Sequence, residues 1–205
     1  MTDTKQKVRE FYDEIGWMQE DDGNYQNARY EDLRPVSREY IHKTRLRVMN
    51  GLIPTGRFIL DAGSGPVQYE EYKTYSAGYQ KRICLDISIQ ALREARTRIG
   101  DHGFFVVGDL ANLPFKKDAF DGAVSMHAIH HLALPEHPRA YAEIHRVLAP
   151  GRTAAIVNGW SDPLLSRMAE PFIGLLRKLT GRDAKKKKEW LNEDAPAGTF
   201  VEKMT

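Results

Sequence analysis

Arg57-Phe58-Ile59-Leu60-Asp61-Ala62-Gly63-Ser64-Gly65 is the stretch whose reading decides the fold. A short, mostly apolar run ends in an acid and then in two closely spaced glycines. An apolar run of this length suits a strand covered on both faces of a parallel sheet. Glycines at its end let the chain turn sharply and pass close to a ligand, with the following amides free to point at it. Taken alone, the turn indicates only a nucleotide-type ligand.

Working outward, the same punctuation recurs. Arg82-Ile83-Cys84-Leu85 ends in Asp86, and Phe104-Phe105-Val106-Val107 ends in Gly108-Asp109. Two further runs, Phe120 to Met126 and Thr153 to Val157, follow. Helical stripes separate them: Ile89, Leu92, Ala95 and Ile99 form one, and Tyr141, Ile144 and Leu148 another. Strand and helix alternating in this rhythm predict right-handed βαβ units and a doubly wound α/β sheet. In such sheets ligands bind beyond the carboxyl ends of the strands. Asp86 lies 25 residues after Asp61, close to the about 20 expected of an acid that accepts hydrogen bonds from a ribose diol. Asp109 follows 23 residues later, where a carboxylate can accept from an adenine amino group.

The flanks differ in character. Residues 1–54 read as an N-terminal helical lid. Val8, Phe11, Tyr12 and Ile15 share one helical face, Gly16-Trp17 breaks it, and a second helix is expected over Ser37 to Asn50. Tyr12, Tyr25 and Tyr30 either cap a ligand or pack the lid. Residues 55–160 form the core, and residues 161–205 a helical insertion or tail within the same domain. Leu164 to Leu179 carries an amphipathic pattern interrupted by Pro171, and the basic run Lys185–Lys188 follows it. That run is either a solvated face or a weak membrane-surface contact.

Composition sets broad limits. The 205 residues are 41% hydrophobic and 28% charged with a net charge of +2, an ordinary globular balance with no strong pull toward nucleic acid. The N-terminus lacks the apolar stretch of a signal peptide. The single cysteine, Cys84, sits in an apolar run and reads as a buried thiol, and a cytoplasmic setting follows.

With these residues in view, the chain resembles the class I S-adenosylmethionine-dependent methyltransferases over residues 57–158. Ile59 to Gly65 looks like their first motif, and Leu85-Asp86-Ile87-Ser88 like their second-strand acid. Gly108 to Phe115 with Phe120-Asp121, His130-His131-Leu132, and Arg146 to Gly151 are similar to the later segments. The nearest likeness is to the small-molecule branch that includes ubiquinone and menaquinone biosynthesis methyltransferases. The resemblance implies a Rossmann-like sheet of five parallel strands in the order 3-2-1-4-5, with S-adenosyl-L-methionine as cofactor and a small-molecule acceptor. It implies that Asp61 and the Gly63, Ser64 and Gly65 backbone hold the methionine moiety. Asp86, with Ile87 beside it, would take the ribose hydroxyls, and Asp109 with the Leu110 backbone the adenine. Met126 and His127 would lie near the methyl group. His127 and His130 are the candidate bases, and no metal site is expected. The acceptor pocket is expected between the N-terminal helices and residues 160–190.

Two departures from the family pattern stand out. Its third glycine is here Val67, and no strand pair is evident after Trp160 to complete the usual seven-stranded sheet. Either the chain is truncated there, or those strands are missing by descent, or Phe200-Val201 begins one that never completes; an open fifth-strand edge would favour a homodimer. Two other functions remain open. A nicotinamide-dependent dehydrogenase would share the first turn but not the Gly65-Pro66-Val67-Gln68 spacing, and a non-catalytic cofactor-binding protein would share the whole fold. A base-directed methyltransferase is disfavoured by Ser125-Met126-His127-Ala128, which stands where an Asn-Pro-Pro-Tyr type motif would be.

Overall fold

Each apolar run forms a strand, and the strands pair in parallel in the order β3-β2-β1-β4-β5. They are β1 (Gly56–Ala62), β2 (Tyr79–Asp86), β3 (Gly103–Val107), β4 (Gly122–Met126) and β5 (Ala154–Val157). The computed structural model describes residues 3–17, 35–158 and 171. The chain forms two compact units, Met1–Asn158 with Thr199–Glu202 and Gly159–Gly198 with Lys203–Thr205, and the sheet lies in the first. Tyr25, Tyr30, the amphipathic stretch around Pro171 and the Lys185–Lys188 run, like the region expected to lack the last strand pair, lie outside the described residues, Pro171 alone excepted.

Side-chain alternation along the central strands feeds two cores. Leu60 and Ala62 join Ile83, Leu85, Ala123, Ile144 and Val147 on one face. Ile59 faces the other way, with Val48, Tyr75, Tyr79 and Val124. Both faces of β1 are thus covered, so its run has no polar alternation. The in-register pairs Asp61 with Cys84 and Asp86 with Val107 bring the ends of β1, β2 and β3 together at one sheet edge.

The helices α1 (Asp3–Phe11), α2 (Pro35–Arg47), α3 (Glu70–Thr74), α4 (Ile89–Ile99) and α5 (His137–Val147) surround the sheet. The Ser88 hydroxyl caps α4 by accepting from the Ala91 amide at 3.1 Å, and Gly100 closes it at φ 58°. The second lid helix starts two residues earlier than expected and ends in a 3-10 turn over Val48–Gly51, because Val48 must reach the core. α3 has no amphipathic signature and was not foreseen. The first helix continues past Phe11 as a π-turn, Tyr12–Gly16. Among the described residues no helix is long and apolar enough to cross a membrane.

Candidate functional site

The first strand ends in a charge that does not face solvent. Asp61 is buried, and its Oδ2 accepts from Arg82 Nε at 3.0 Å and from Arg82 Nη2. Arg82 is itself 1% exposed and also donates to the Tyr72 carbonyl at 2.5 Å. The register makes the pair diagonal neighbours on one sheet face: Arg82 lies opposite Ile59, and Cys84 opposite Asp61. The structure thus turns Asp61 toward Arg82, whereas the resemblance turned it toward the methionine moiety. Cys84, between them, is fully buried, and burial pushes its thiol up to about 12, so it stays protonated and inert.

The loop that follows is clamped to β2. Gly63 N and Ser64 N both donate to the Leu85 carbonyl, at 2.8 and 3.1 Å. Gly65 N donates to Asp86 Oδ2 at 2.8 Å. These amides therefore do not point outward as the sequence suggested; the carbonyl and carboxylate that end β2 take them first. Gly63 (φ 74°) and Gly65 (φ 53°) are left-handed. A Cβ at Gly63 would stand 2.3 Å from Ala128 Cβ. Gly63→Ala should lower stability by about 2–4 kcal/mol, from left-handed strain and overpacking together. Urea unfolding measures this, and a loss under about 1 kcal/mol would mean that the loop does not press on Ala128.

Val67, where the family carries a third glycine, adopts the glycine conformation nonetheless, at φ 52°. Its side chain is fully buried beside Cys84, Leu92 and Ala95. A β-branched residue in this region is a true outlier, and burial of its two methyls offsets the strain.

Asp86 and Asp109 keep the positions the sequence expected. Asp86 Oδ1 accepts from Ser88 N at 2.9 Å while Oδ2 holds Gly65 N. Burial pushes the Asp86 carboxyl up to about 6, against the opposing effect of the Ser88, Gly65 and Ile87 amides, and the Asp61 charge adds to the rise. Asp109 Oδ1 accepts from Ala111 N at 2.9 Å, and Leu110 turns its side chain into the core, leaving only its backbone for a ligand.

Beyond β4 the backbone turns left-handed at His127 (φ 54°), whose N–H donates to the Val157 carbonyl at 2.7 Å. Met126 packs against the cluster of Val48, Ile59, Tyr75 and Tyr79. Asn158 Oδ1 lies 3.0 Å from both the His130 backbone N and its ring Nδ1. A carbonyl oxygen only accepts, so Nδ1 carries the proton and Nε2 is the basic nitrogen. Burial pushes this imidazole below its usual value, so it is neutral at pH 7. Ile129–His131 is a 3-10 turn rather than a strand, and the His130 and His131 ring centroids lie 4.2 Å apart.

The N-terminal segment lies across this edge, and of the residues it brings there sequence reasoning singled out Tyr12 but not Lys5 or Asp13. Lys5 Nζ donates to Asp109 Oδ2 at 2.6 Å and to Glu136 Oε1 at 2.5 Å. Tyr12 Oη lies 2.9 Å from His131 Nε2. Asp13 Oδ1 accepts from Ser88 Oγ at 2.5 Å. The Trp17 indole stacks on Tyr12 at 4.8 Å and covers Gly65, where an added Cβ would stand 3.0 Å from the ring. Arg82 could have been suspected from a charge inside an apolar run; Lys5, 104 positions from Asp109, carried no such signal.

A parallel sheet in this order, with a left-handed glycine loop and acids ending its first three strands, defines an adenosyl-cofactor fold. Residues 60–156 match the model of a methyltransferase domain, and over that stretch the chain is similar to the class I S-adenosylmethionine-dependent methyltransferases. It is 29% identical over 146 residues to a tRNA (carboxymethyluridine(34)-5-O)-methyltransferase of Arabidopsis thaliana, covering 70% of this chain and 32% of that one. It is 33% identical over 98 residues to the phthiotriol/phenolphthiotriol dimycocerosates methyltransferase of Mycobacterium leprae, covering 47% of this chain and 36% of that one. The chain thus spans about a third of the length of these two curated relatives. Among solved structures, the methyltransferase bound to the Haloferax volcanii Trm112 methyltransferase activator superposes with a TM-score of 0.52 at 27% identity, covering 66% of this chain and 60% of that one. The [4+2]-cyclase SpnF shares the fold at a TM-score of 0.57 and 18% identity, covering 76% of this chain and 60% of that one.

S-adenosylmethionine is the cofactor of the class, and the site fits it. The loop has no side chain at Gly63 or Gly65 to obstruct it. Asp86, half-buried at the loop, accepts from Gly65 N on Oδ2 and from Ser88 N on Oδ1, and a carboxylate has room for about four hydrogen bonds in all.

Proposed function

We propose that this chain is a methyltransferase that transfers the methyl group of S-adenosylmethionine to a small-molecule acceptor. The observation that carries the reading is the Asp86 carboxylate, bonded to the Gly65 amide at the mouth of the left-handed loop. A ribose diol donates two hydrogen bonds, and an ionised carboxylate beside a close-approach loop is built to accept them. Asp109 with the Leu110 backbone takes the adenine edge, and the loop backbone passes the methionine moiety. Asp61 acts at one remove, by holding the end of β1 through Arg82.

The bound cofactor supplies an electrophilic methyl group on a sulfonium. The chain's own task is alignment, which is worth roughly 7–11 kcal/mol of barrier. His127 and His130, at the exit of β4, are the imidazoles placed to take a proton from an acceptor O–H or N–H, and the Asn158 contact holds His130 in the tautomer with a basic Nε2. A small acceptor is supported by the net charge of +2 and by the relative named for phthiotriol methylation. The relative named as a tRNA methyltransferase makes nucleic acid the competing acceptor. The single buried thiol supports a reducing compartment.

Calorimetric titration with S-adenosylhomocysteine should give a Kd in the micromolar range, about −8 kcal/mol, with NAD giving no heat. Methyl transfer from labelled cofactor should then appear on phenol, carboxylate or amine acceptors rather than on bulk tRNA. Binding without turnover on any acceptor would favour a cofactor-binding protein that has lost catalysis. Transfer to tRNA alone would replace the small-molecule reading, and absence of cofactor binding would end it.

A further inference from the structure

Lys5 is the most deeply buried cation that the N-terminal helix brings to this edge. It is 5% exposed, 104 positions from one of its partners and 131 from the other. A lysine loses much side-chain entropy on burial and resists desolvation, so its place between two carboxylates is costly unless both hold it. Asp109 Oδ2 and Glu136 Oε1 do so, at 2.6 and 2.5 Å. Burial alone would lower the ammonium pKa, but the hydrogen bonds and charges of Asp109 and Glu136 carry it above its ordinary value, so the group is charged at all working pH.

Asp109 is not an arbitrary anchor, for it is the acid that the proposed function assigns to adenine. Its Oδ1 serves the Ala111 amide and its Oδ2 serves Lys5. Each carboxylate oxygen accepts two hydrogen bonds, so an amino group can join Lys5 on Asp109 without displacing it. The same helix and its π-turn then run on to Asp13 on Ser88, two residues past Asp86, and to Trp17 over Gly65. One segment thus touches the adenine acid, the turn after the ribose acid and the loop.

We propose that Lys5 is a positioning residue for the cofactor: it fastens the N-terminal helix to Asp109, so that helix docking and adenosyl binding strengthen one another. The coupling is reciprocal by linkage. S-adenosylhomocysteine should slow amide exchange in residues 3–17, and loss of the Lys5 charge should weaken S-adenosylhomocysteine. The inference rests on the adenosyl reading of the site.

The experiment pairs calorimetry with hydrogen exchange on the full chain. Lys5→Met keeps the apolar stem and removes the charge; Lys5→Arg keeps the charge. Lys5→Met should raise the Kd for S-adenosylhomocysteine about tenfold and abolish the ligand-induced protection of residues 3–17, while Lys5→Arg restores both to within about threefold. Should Lys5→Met lower the melting temperature steeply, Glu136→Gln, which leaves Asp109 and Lys5 in place, should give a smaller shift in the same direction. If the wild-type protein binds and Lys5→Met binds equally well, or more tightly because the lysine had blocked the adenine, the positioning role is overturned while the function stands. If ligand binding leaves exchange in residues 3–17 unchanged, the coupling is overturned likewise. A wild-type protein that does not bind overturns both.

Discussion

Arg82→Met should cost the domain about 3–5 kcal/mol of stability, the largest loss expected from one substitution here. The guanidinium is 1% exposed and its partner Asp61 2%. Removing the arginine leaves a carboxylate inside the sheet with no opposing charge, and abandons the Tyr72 carbonyl that Arg82 Nη1 holds at 2.5 Å. Burying an unpaired charge is what makes breaking such a pair so damaging, even though the intact pair is a modest net stabiliser. The double variant Arg82→Met with Asp61→Leu should recover most of the loss, because two apolar side chains on the same face pack where the ions stood. Urea unfolding at pH 7 gives both numbers. A single-variant loss below about 1 kcal/mol would show that the pair is hydrated in solution.

Asp86→Asn should weaken S-adenosylhomocysteine about a hundredfold and remove the pH dependence of its binding. The size follows from the charge-assisted hydrogen bonds to a diol, each worth roughly 1.5–3 kcal/mol. The pH dependence follows from burial, which lifts the Asp86 carboxyl to about 6. The diol donates to the ionised form, so binding should be full above pH 6 and fall up to about tenfold per unit below it. Stability runs the opposite way. The unfolded carboxyl titrates near about 3.9, so between that value and 6 the folded protein binds more protons. This group's contribution therefore falls as pH rises through that window. A titration series from pH 5 to 8 on wild type and variant separates the two effects. Wild-type affinity that is flat through pH 6, or an asparagine variant within threefold of wild type, would remove Asp86 from the ribose role.

The sheet was readable because its signals are local. A two-faced strand declares itself as a continuous apolar run, and Ile59-Leu60, Ile83-Cys84 and Ala123-Val124 did so within a few residues. Asp86 and Asp109 were readable for the same reason: Asp86 ends β2 and Asp109 lies two residues beyond β3, and a parallel sheet brings such ends to one edge. Asp61 obeyed the same rule of position, yet its side chain turned inward. Its partner was decided by the register of β1 on β2, which composition does not reveal. The loop amides were misplaced on the same ground, because the carbonyl of Leu85 lies across the sheet from them. Val67 shows a limit of another kind. The family's third glycine is absent there, yet the chain keeps the left-handed conformation, with the valine methyls buried.

By itself, then, the sequence determined the class of fold, the order of its acids and the adenosyl character of the ligand, since these depend on periodicity and spacing along the chain. Only the tertiary structure decided what the glycine loop at Gly63 to Gly65 leans on, that Asp61 pairs with Arg82, and that Lys5, Asp13 and Trp17 lie across the carboxyl ends of the strands. Those contacts join residues separated by about fifty to more than a hundred positions. They exist only because the packing of a helix on the sheet makes each burial compensate another, and no local pattern encodes that sum.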